Sequence, residues 1–208
     1  MKRRIFVGLG FAAAAGAQVA HQEHGKHMHA DVYAKVLDDP SRDAWQKPHE
    51  VIMALALKAD EVVADIGAGT GYFAKRFARH AGKVYAVDIE AKLLEIAKKS
   101  APANMDTVLA APDDPKLAAR SVDTIFVCDV LHHIDGRPAY YAKLKEALKP
   151  GGRVAVIDFH KRPLPVGPPP EMKISREEMI GEFEKAGFVL AREHTMLPHQ
   201  YFLEFRPR

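Results

Sequence analysis

Residues 62–73 read Val-Val-Ala-Asp-Ile-Gly-Ala-Gly-Thr-Gly-Tyr-Phe, and residues 84–89 read Val-Tyr-Ala-Val-Asp-Ile. Each apolar run has the length and composition of a buried strand, and the first is followed by a turn of alternate glycines and the start of a helix. Because glycine has no Cβ, such a turn brings bare backbone against a ligand, and the free N–H groups of the next helix point to the same place. The pattern predicts a crevice for a nucleoside-like ligand.

The glycine spacing discriminates between nucleoside ligands. A dinucleotide-binding turn has the pattern Gly-x-Gly-x-x-Gly, whereas the third glycine here, Gly71, comes one residue early and Tyr72 fills the expected place. Asp65 precedes the turn, and its carboxylate would repel a pyrophosphate but suits a sulfonium or an ammonium. An NAD-dependent oxidoreductase is therefore the less favoured interpretation.

The Asp-x-Gly-x-Gly-x-Gly pattern resembles motif I of the class I S-adenosylmethionine-dependent methyltransferases. Residues 121–134 are similar to that family's fourth strand and the turn after it, and residues 148–158 to its Pro-Gly-Gly turn and fifth strand. The resemblance extends from about residue 48 to residue 206. It implies an α/β fold, a doubly wound, Rossmann-like, mainly parallel seven-stranded sheet with N-terminal cap helices, and S-adenosyl-L-methionine as the cofactor.

The resemblance also implies a set of cofactor-binding residues. Asp88 ends the second strand, where a carboxylate accepts hydrogen bonds from two ribose hydroxyls. At residues 110–114, Ala-Ala-Pro-Asp-Asp, alanine replaces the family's usual first acid. Asp113 is therefore assigned to the adenine contact, with capping of a short following helix as the alternative. The predicted set is Asp65, Gly67, Ala68, Gly69, Gly71, Asp88, Ile89, Asp113 and Asp129.

Methyl transfer from a sulfonium is an in-line displacement, so the protein contributes alignment, exclusion of water and, for a protonated acceptor, a base. Histidine titrates near neutral pH and suits that last role. Each candidate histidine could instead be a packing or capping residue, and three tyrosines could either line an acceptor pocket or belong to the core. The candidate bases are His132, His133 and His160, and the tyrosines are Tyr140, Tyr141 and Tyr201.

Motifs and residue types that are missing from the sequence restrict the chemical class of the methyl acceptor. The segment after the fourth strand lacks the Asp/Asn-Pro-Pro-Tyr/Phe motif with which family members grip adenine or glutamine nitrogens. Cys128 is the one cysteine, which argues against arsenite as the acceptor, and in a buried-looking strand it is interpreted as a packed thiol. We expect a small organic acceptor that takes methyl on O, N, S or C. The proline-rich residues 160–170 and the helices around Trp45 are predicted to wall its pocket, although a rigid surface connector is the alternative for the proline run.

The first 17 residues combine a charged start, an apolar stretch and a small-x-small end at Ala15-Gly16-Ala17, which predicts an export signal and a periplasmic location. The alternatives are a twin-arginine signal and an uncleaved membrane anchor. Residues 18–30 are predicted to form a His-rich tether; four histidines could bind a metal ion there, but we expect a solvated linker and no metal site. Residues 31–208 form the predicted methyltransferase domain, with no stable membrane span after signal removal.

Residues 31–57 are predicted to form two short helices joined by residues 41–48, with Pro48 as the first residue of the second helix. The last helix is predicted to begin after Ser175 and to end at Gly187.

Charge supports this division of the chain. The sequence has 30 basic and 27 acidic residues, and three of the basic residues lie in the first 17. The remainder is therefore balanced, which argues against nucleic acid as a partner. An exported domain meets little S-adenosylmethionine, so a non-catalytic binding protein for this or another nucleoside-like ligand remains the alternative function. The oligomeric state does not follow from the sequence.

Overall fold

The computed structural model describes residues 30–208. The predicted export signal at residues 1–17 and the His-rich tether, up to residue 29, lie outside the described residues and stay predictions. Within residues 30–208, no helix has the length and apolar character needed to cross a bilayer.

The described chain begins with short helices. They are α1 (Ala30–Leu37), a 3₁₀ turn (Pro40–Arg42), α2 (Asp43–Gln46) and α3 (Pro48–Leu55). Pro48 occupies the first turn of α3, as predicted, since its missing N–H has no partner to lose there. The sequence predicted two helices joined by a connector at residues 41–48, and the structure differs in that α2 forms within this connector.

Seven strands follow, and four α-helices lie between some of them. The strands are β1 (Val62–Ile66), β2 (Lys83–Asp88), β3 (Met105–Leu109), β4 (Val122–Cys128), β5 (Leu148–Phe159), β6 (Phe188–His194) and β7 (Gln200–Pro207). The helices between them are α4 (Ala74–Phe77), α5 (Ala91–Lys99), α6 (Arg137–Ala147) and α7 (Arg176–Lys185).

All seven strands form one sheet in the order β3-β2-β1-β4-β5-β7-β6. The first five strands pair in parallel, and β7 runs antiparallel to both β5 and β6. Strands β2 and β3 lie on one side of β1, and the next strand in the sequence, β4, pairs with the other side of β1. The predicted doubly wound, mainly parallel sheet is confirmed.

The sheet is buried on both faces, which explains why its inner strands are mostly apolar. Successive residues Ile125 and Phe126 of β4 belong to different core clusters. One cluster includes Phe183 of α7, whose ring stacks on Phe205 at 4.2 Å between centroids. The other includes Phe77 of α4, whose ring lies 4.9 Å from that of Phe126. Two packed layers thus fix the strand ends that carry the site.

The last helix has the ends that its sequence predicts. The Ser175 side chain accepts a hydrogen bond from the N–H of Glu178 at 3.1 Å, and Gly187 beyond the helix end has a φ of +80°. These are a typical N-cap and a typical left-handed C-terminal residue.

Candidate active site

The glycine-rich loop between β1 and α4 lies against the ends of β2 and β4. The N–H groups of Gly67 and Ala68 both donate to the carbonyl oxygen of Val87, at 2.8 and 3.0 Å. Gly67 has a φ of +71°, and a Cβ there would lie 2.1 Å from Cγ2 of Val130. A side chain at this position would therefore collide with the segment after β4. Gly69 and Gly71 also have positive φ, at +55° and +88°.

Asp88 lies directly beside this loop, at the end of β2. One carboxylate oxygen accepts the N–H of Gly69 at 2.7 Å, and the other accepts the N–H of Glu90 at 2.9 Å. Burial raises the pKa of this carboxyl above its ordinary value. Ile89 follows with 60% of its surface exposed. The carboxylate is thus fixed at the crevice, and the apolar neighbour is free to cover a flat ring.

Asp65 lies behind the loop and is almost fully buried. Burial raises its pKa to about 8, the N–H of Ala74 acts in the opposite direction, and the charge of Asp88 raises it further. A buried carboxyl of this kind is poised to pair with a cation. The interpretation that the loop receives a positively charged ligand rather than a pyrophosphate stays a prediction.

Asp113 follows β3 and has an exposed side chain. Its side chain is 83% exposed and its carboxylate is 4.0 Å from Nζ of Lys143. The alternative that Asp113 caps a following helix is wrong, because residues 115–120 form no helix and Asp114, not Asp113, accepts the N–H of Lys116 at 2.8 Å. The adenine contact stays a prediction.

Asp129 lies at the carboxyl end of β4 in a left-handed conformation, with a φ of +59°. Its two carboxylate oxygens accept hydrogen bonds from Nε2 of Gln200, at 2.7 and 2.9 Å. Burial and the charge of Asp158 raise its pKa, which reaches about 7. Burial raises the pKa of the Tyr33 hydroxyl on α1, and the charges of Asp88 and Asp129 raise it further.

The three candidate histidines have different surroundings. The side chain of His132 is fully buried, and its Nδ1 lies 2.9 and 3.0 Å from the two carboxylate oxygens of Asp158. Its Nε2 is buried without a hydrogen-bond partner among the described residues. Burial lowers the pKa of His132, but Asp158 more than offsets this and raises it. The ring of His133 lies beside that of His132, with 4.1 Å between ring centroids and a tilt of 51° between the ring planes.

His160 lies farther out, at the end of β5, where burial lowers its pKa. Its ring is 5.9 Å from that of Tyr201. The three tyrosines, Tyr140, Tyr141 and Tyr201, are all buried in the core, which bears out the core interpretation. Cys128 is a partly buried thiol whose pKa is raised by burial, as expected for a packed side chain.

Residues 30–47, which we call the N-terminal segment, cover the glycine-rich loop. Leu37 of α1 contacts Gly69 so closely that a Cβ there would lie 2.7 Å from Cδ1 of the leucine. Thr70 donates to Asp38 at 2.6 Å, and the hydroxyl of Tyr72 donates to Asp43. The segment is therefore attached to the cofactor half of the site.

The proline-rich residues 160–170 meet the same segment at Phe159. The ring of Trp45 lies 5.8 Å from that of Phe159, and a Cβ on Gly167 would lie 2.7 Å from the same ring. Nζ of the buried Lys173 lies 5.7 Å from the ring centroid and donates to the carbonyl of Arg162 at 2.8 Å. The structure thus brings together the two segments predicted to wall an acceptor pocket.

A cavity of about 580 Å³ lies at the other end of the strands from the glycine-rich loop, near their amino ends. Arg153 within it pairs with Glu204 at 3.1 Å and with Glu61 at 3.7 Å, and it also hydrogen bonds to Thr124 at 3.0 Å. Because these charges satisfy one another and none of the predicted residues lies there, this cavity is not the candidate site.

Comparison with known proteins agrees with this geometry. Residues 64–156 match the family model described as "Methyltransferase domain". The chain is similar to the crystal structure of a SAM-dependent methyltransferase from Aquifex aeolicus, with a TM-score of 0.79 and 26% identity, covering 86% of this chain and 98% of that one. The fold is that of a class I S-adenosylmethionine-dependent methyltransferase. Residues 64–156 are thus a methyltransferase domain, and the predicted enzyme class and its cofactor, S-adenosylmethionine, are confirmed at the level of this domain.

Curated relatives match over shorter stretches. The demethylmenaquinone methyltransferase of Tropheryma whipplei is 32% identical over 107 residues, which are 50% of this chain and 44% of that protein. Phosphoethanolamine N-methyltransferase 1 of Triticum aestivum is 28% identical over 130 residues, 59% of this chain and 26% of that protein. This methyltransferase domain therefore spans less than half the length of either curated relative.

The structure adds four residues that sequence reasoning missed. Asp158, Gln200 and Lys173 are buried polar side chains at or beyond the carboxyl end of β5, and Gln46 is fully buried although it lies in the expected connector. Of these four, Asp158 alone could have been identified from the sequence, because it is an acid at the end of an apolar strand. Nothing local marks a glutamine as buried.

Proposed function

We propose that this chain transfers a methyl group from S-adenosylmethionine to a small organic acceptor. The observation that carries the proposal is the geometry at the end of β2, where the backbone of a three-glycine loop contacts the fixed carboxylate of Asp88. A ligand with adjacent hydroxyls donates to the acceptor sites that the two backbone N–H groups leave free on that carboxylate. S-adenosylmethionine supplies a methyl group on a positively charged sulfur.

The chain's own residues have distinct roles in this proposal. Asp65, buried and with its pKa raised to about 8, supplies negative charge behind the loop when a cation is bound. The N-terminal segment and the loop at Phe159 exclude water, which strengthens electrostatic interactions within the site. His132 is the proposed proton acceptor, because Asp158 holds Nδ1 and leaves Nε2 without a protein partner among the described residues.

The comparisons support a small acceptor, since the named relatives act on demethylmenaquinone and phosphoethanolamine. The wall formed by Trp45, Phe159 and residues 160–170 lies on the acceptor side of the switch in strand order.

We further propose that the chain is exported, as the charged, apolar and small-residue order of residues 1–17 indicates. Cell fractionation tests this: a shortened chain in the periplasm is expected, and full-length chain in the cytosol would exclude cleavage and export.

Calorimetric titration with S-adenosylhomocysteine, S-adenosylmethionine and NAD tests the cofactor. We expect the first two to bind and NAD not to bind. Asp88→Ala should weaken S-adenosylhomocysteine binding by about 1.5 to 3 kcal/mol, the scale of hydrogen bonds to a charged group.

A matched control is Asp106→Ala, which removes a carboxylate of neighbouring β3 that pairs with Lys83 at 2.6 Å on the surface. This variant should bind like the wild type. An equal loss of S-adenosylhomocysteine affinity in both variants, or no loss of affinity in Asp88→Ala, would show that Asp88 is not part of the site. Tight binding of S-adenosylhomocysteine without methylation of any acceptor would favour a binding protein instead.

A further inference from the structure

A chain of hydrogen bonds connects the N-terminal segment to the acceptor end of the sheet. Arg42 donates from Nη2 to Oε1 of Gln46 at 3.4 Å. Gln46 donates from Nε2 to Oε1 of Gln200 at 2.9 Å, and Gln200 donates from Nε2 to both carboxylate oxygens of Asp129. Each hydrogen bond in this series is donated in the direction of the Asp129 carboxylate. The series therefore begins at the guanidinium of Arg42 and ends at a carboxylate.

The two glutamines are buried to a degree that is unusual for this residue type. Gln46 has 0% and Gln200 has 1% of its surface exposed, and glutamine is mostly found on protein surfaces. A buried amide is costly unless its groups are paired. Gln46 also donates to Sγ of Cys128 at 3.2 Å. The amide pair is therefore a fully engaged polar connection through an otherwise apolar contact.

Charge and backbone geometry at Asp129 show why such a connection matters. The residue has a left-handed backbone, which a non-glycine residue adopts at a cost. The hydrogen bonds from Gln200 act to lower the pKa of this carboxyl, against burial and the charge of Asp158. The other titratable or charged groups that interact electrostatically with Asp129 are Arg42, His132, Tyr33, Cys128, Lys173 and Tyr201.

We propose that Gln46 and Gln200 are positioning residues that hold the Asp129 carboxylate in its charged form and couple it to docking of the N-terminal segment. The proposal rests on the proposed function, because Asp129 borders the space between the cofactor and acceptor halves. When the segment is docked, Asp129 is oriented and ionised and accepts a hydrogen bond from an O–H or N–H group of the acceptor. By linkage, ionisation of Asp129 favours docking to the same extent.

The first test measures the titration of Asp129 directly. The full chain is labelled with ¹³C at aspartate carboxyl groups, and Asp129→Asn identifies the resonance. Gln200→Leu removes both donors and should raise the pKa of Asp129 by about one pH unit, as expected for loss of a charge-assisted hydrogen bond. Gln46 does not contact Asp129 directly, so Gln46→Leu should raise the pKa of Asp129 by a smaller, measurable amount.

Thr70→Val is the matched control, because it removes a different attachment of the N-terminal segment, the hydrogen bond to Asp38. It should leave the titration of Asp129 unchanged. An unchanged pKa in Gln200→Leu overturns the positioning role. A shift in Gln200→Leu with none in Gln46→Leu overturns the coupling to the segment.

Hydrogen exchange read by mass spectrometry provides the second test. After correction for intrinsic rates, peptides from residues 30–47 should be better protected at pH 8 than at pH 6 in the wild-type chain. Gln200→Leu should reduce their protection about tenfold at pH 8, the effect of one lost hydrogen bond, and should abolish its pH dependence.

Thr70→Val should reduce protection and keep the pH dependence. Equal pH dependence in wild type and Gln200→Leu overturns the proposal. These outcomes do not depend on cofactor binding: if S-adenosylhomocysteine fails to bind the wild type, the proposed function fails, whereas absent coupling in a chain that binds it removes this inference alone.

Discussion

Replacing Asp65 with Asn should stabilise the ligand-free protein at neutral pH while impairing its function. The side chain is 3% exposed, and burial raises its pKa to about 8 from an ordinary 3.8. Between those two values the folded state holds a proton that the unfolded chain releases. Stability contributed by this group is therefore present at low pH and is lost as the pH rises through the window. Asn keeps the shape and an acceptor for the N–H of Ala74, and it has no proton to hold.

The magnitude follows from the linkage relation. Each pH unit within the window changes the free energy of unfolding by about 1.4 kcal/mol per group. Between pH 4.5 and pH 7, the free energy of unfolding of the wild-type protein should therefore fall by about 3 kcal/mol because of Asp65. The variant should not show this loss. This is a substantial part of the 5 to 15 kcal/mol typical of a folded domain.

Urea unfolding at 25 °C, repeated at several pH values from 4.5 to 8, measures the difference between wild type and Asp65→Asn. Asp88, Asp129 and His132 also have raised pKa values, but they are common to both proteins, so the difference isolates Asp65. The stability advantage of the variant should grow steadily with pH.

Asp123→Asn is the control of opposite sign. Burial acts to raise the pKa of Asp123, but the bond to Lys149 at 2.7 Å, the N–H of Val62 and the charges of Lys149 and Lys58 together outweigh it, and the net shift is downward. That variant should lose stability relative to wild type as the pH rises from acid to neutral. A stability difference for Asp65→Asn that does not change with pH would refute the argument that Asp65 is protonated in the free protein.

Three other predictions concern the loop, the base and the wall. Gly67→Ala should destabilise the fold by about 2 to 4 kcal/mol in chemical unfolding, since its Cβ meets Val130 at 2.1 Å and its φ is positive; Val130→Ala should recover part of this, and no recovery would exclude the collision. His132→Asn can keep the bond to Asp158 and loses Nε2, so turnover should fall about 100-fold with S-adenosylhomocysteine affinity unchanged; normal turnover would remove His132 as the base. Replacing residues 163–170 with a Gly/Ser linker should abolish turnover and leave cofactor affinity within a few-fold, whereas full activity would place the acceptor pocket elsewhere.

The sequence alone was sufficient for features that depend on neighbouring residues. Apolar runs predicted the strands, and the glycine spacing with the acid at Asp88 predicted the crevice. Pro48, Ser175 and Gly187 marked helix ends correctly. Each of these signals reflects a local requirement, either a backbone dihedral, an unpaired N–H group or a two-sided burial pattern, and such requirements are written in consecutive residues.

Only the tertiary structure decided which side chains meet. Gln46 and Gln200 are 154 residues apart in sequence and hydrogen bond at 2.9 Å, and His132 meets Asp158 inside the core, 26 residues away. The same packing leaves the Asp113 side chain exposed and 4.0 Å from Nζ of Lys143, a neighbour that the sequence does not indicate. A polar side chain has no periodic signature of burial, because its environment is set by elements that the fold brings together. The pKa values of Asp65 and Asp129 depend on that packing for the same reason.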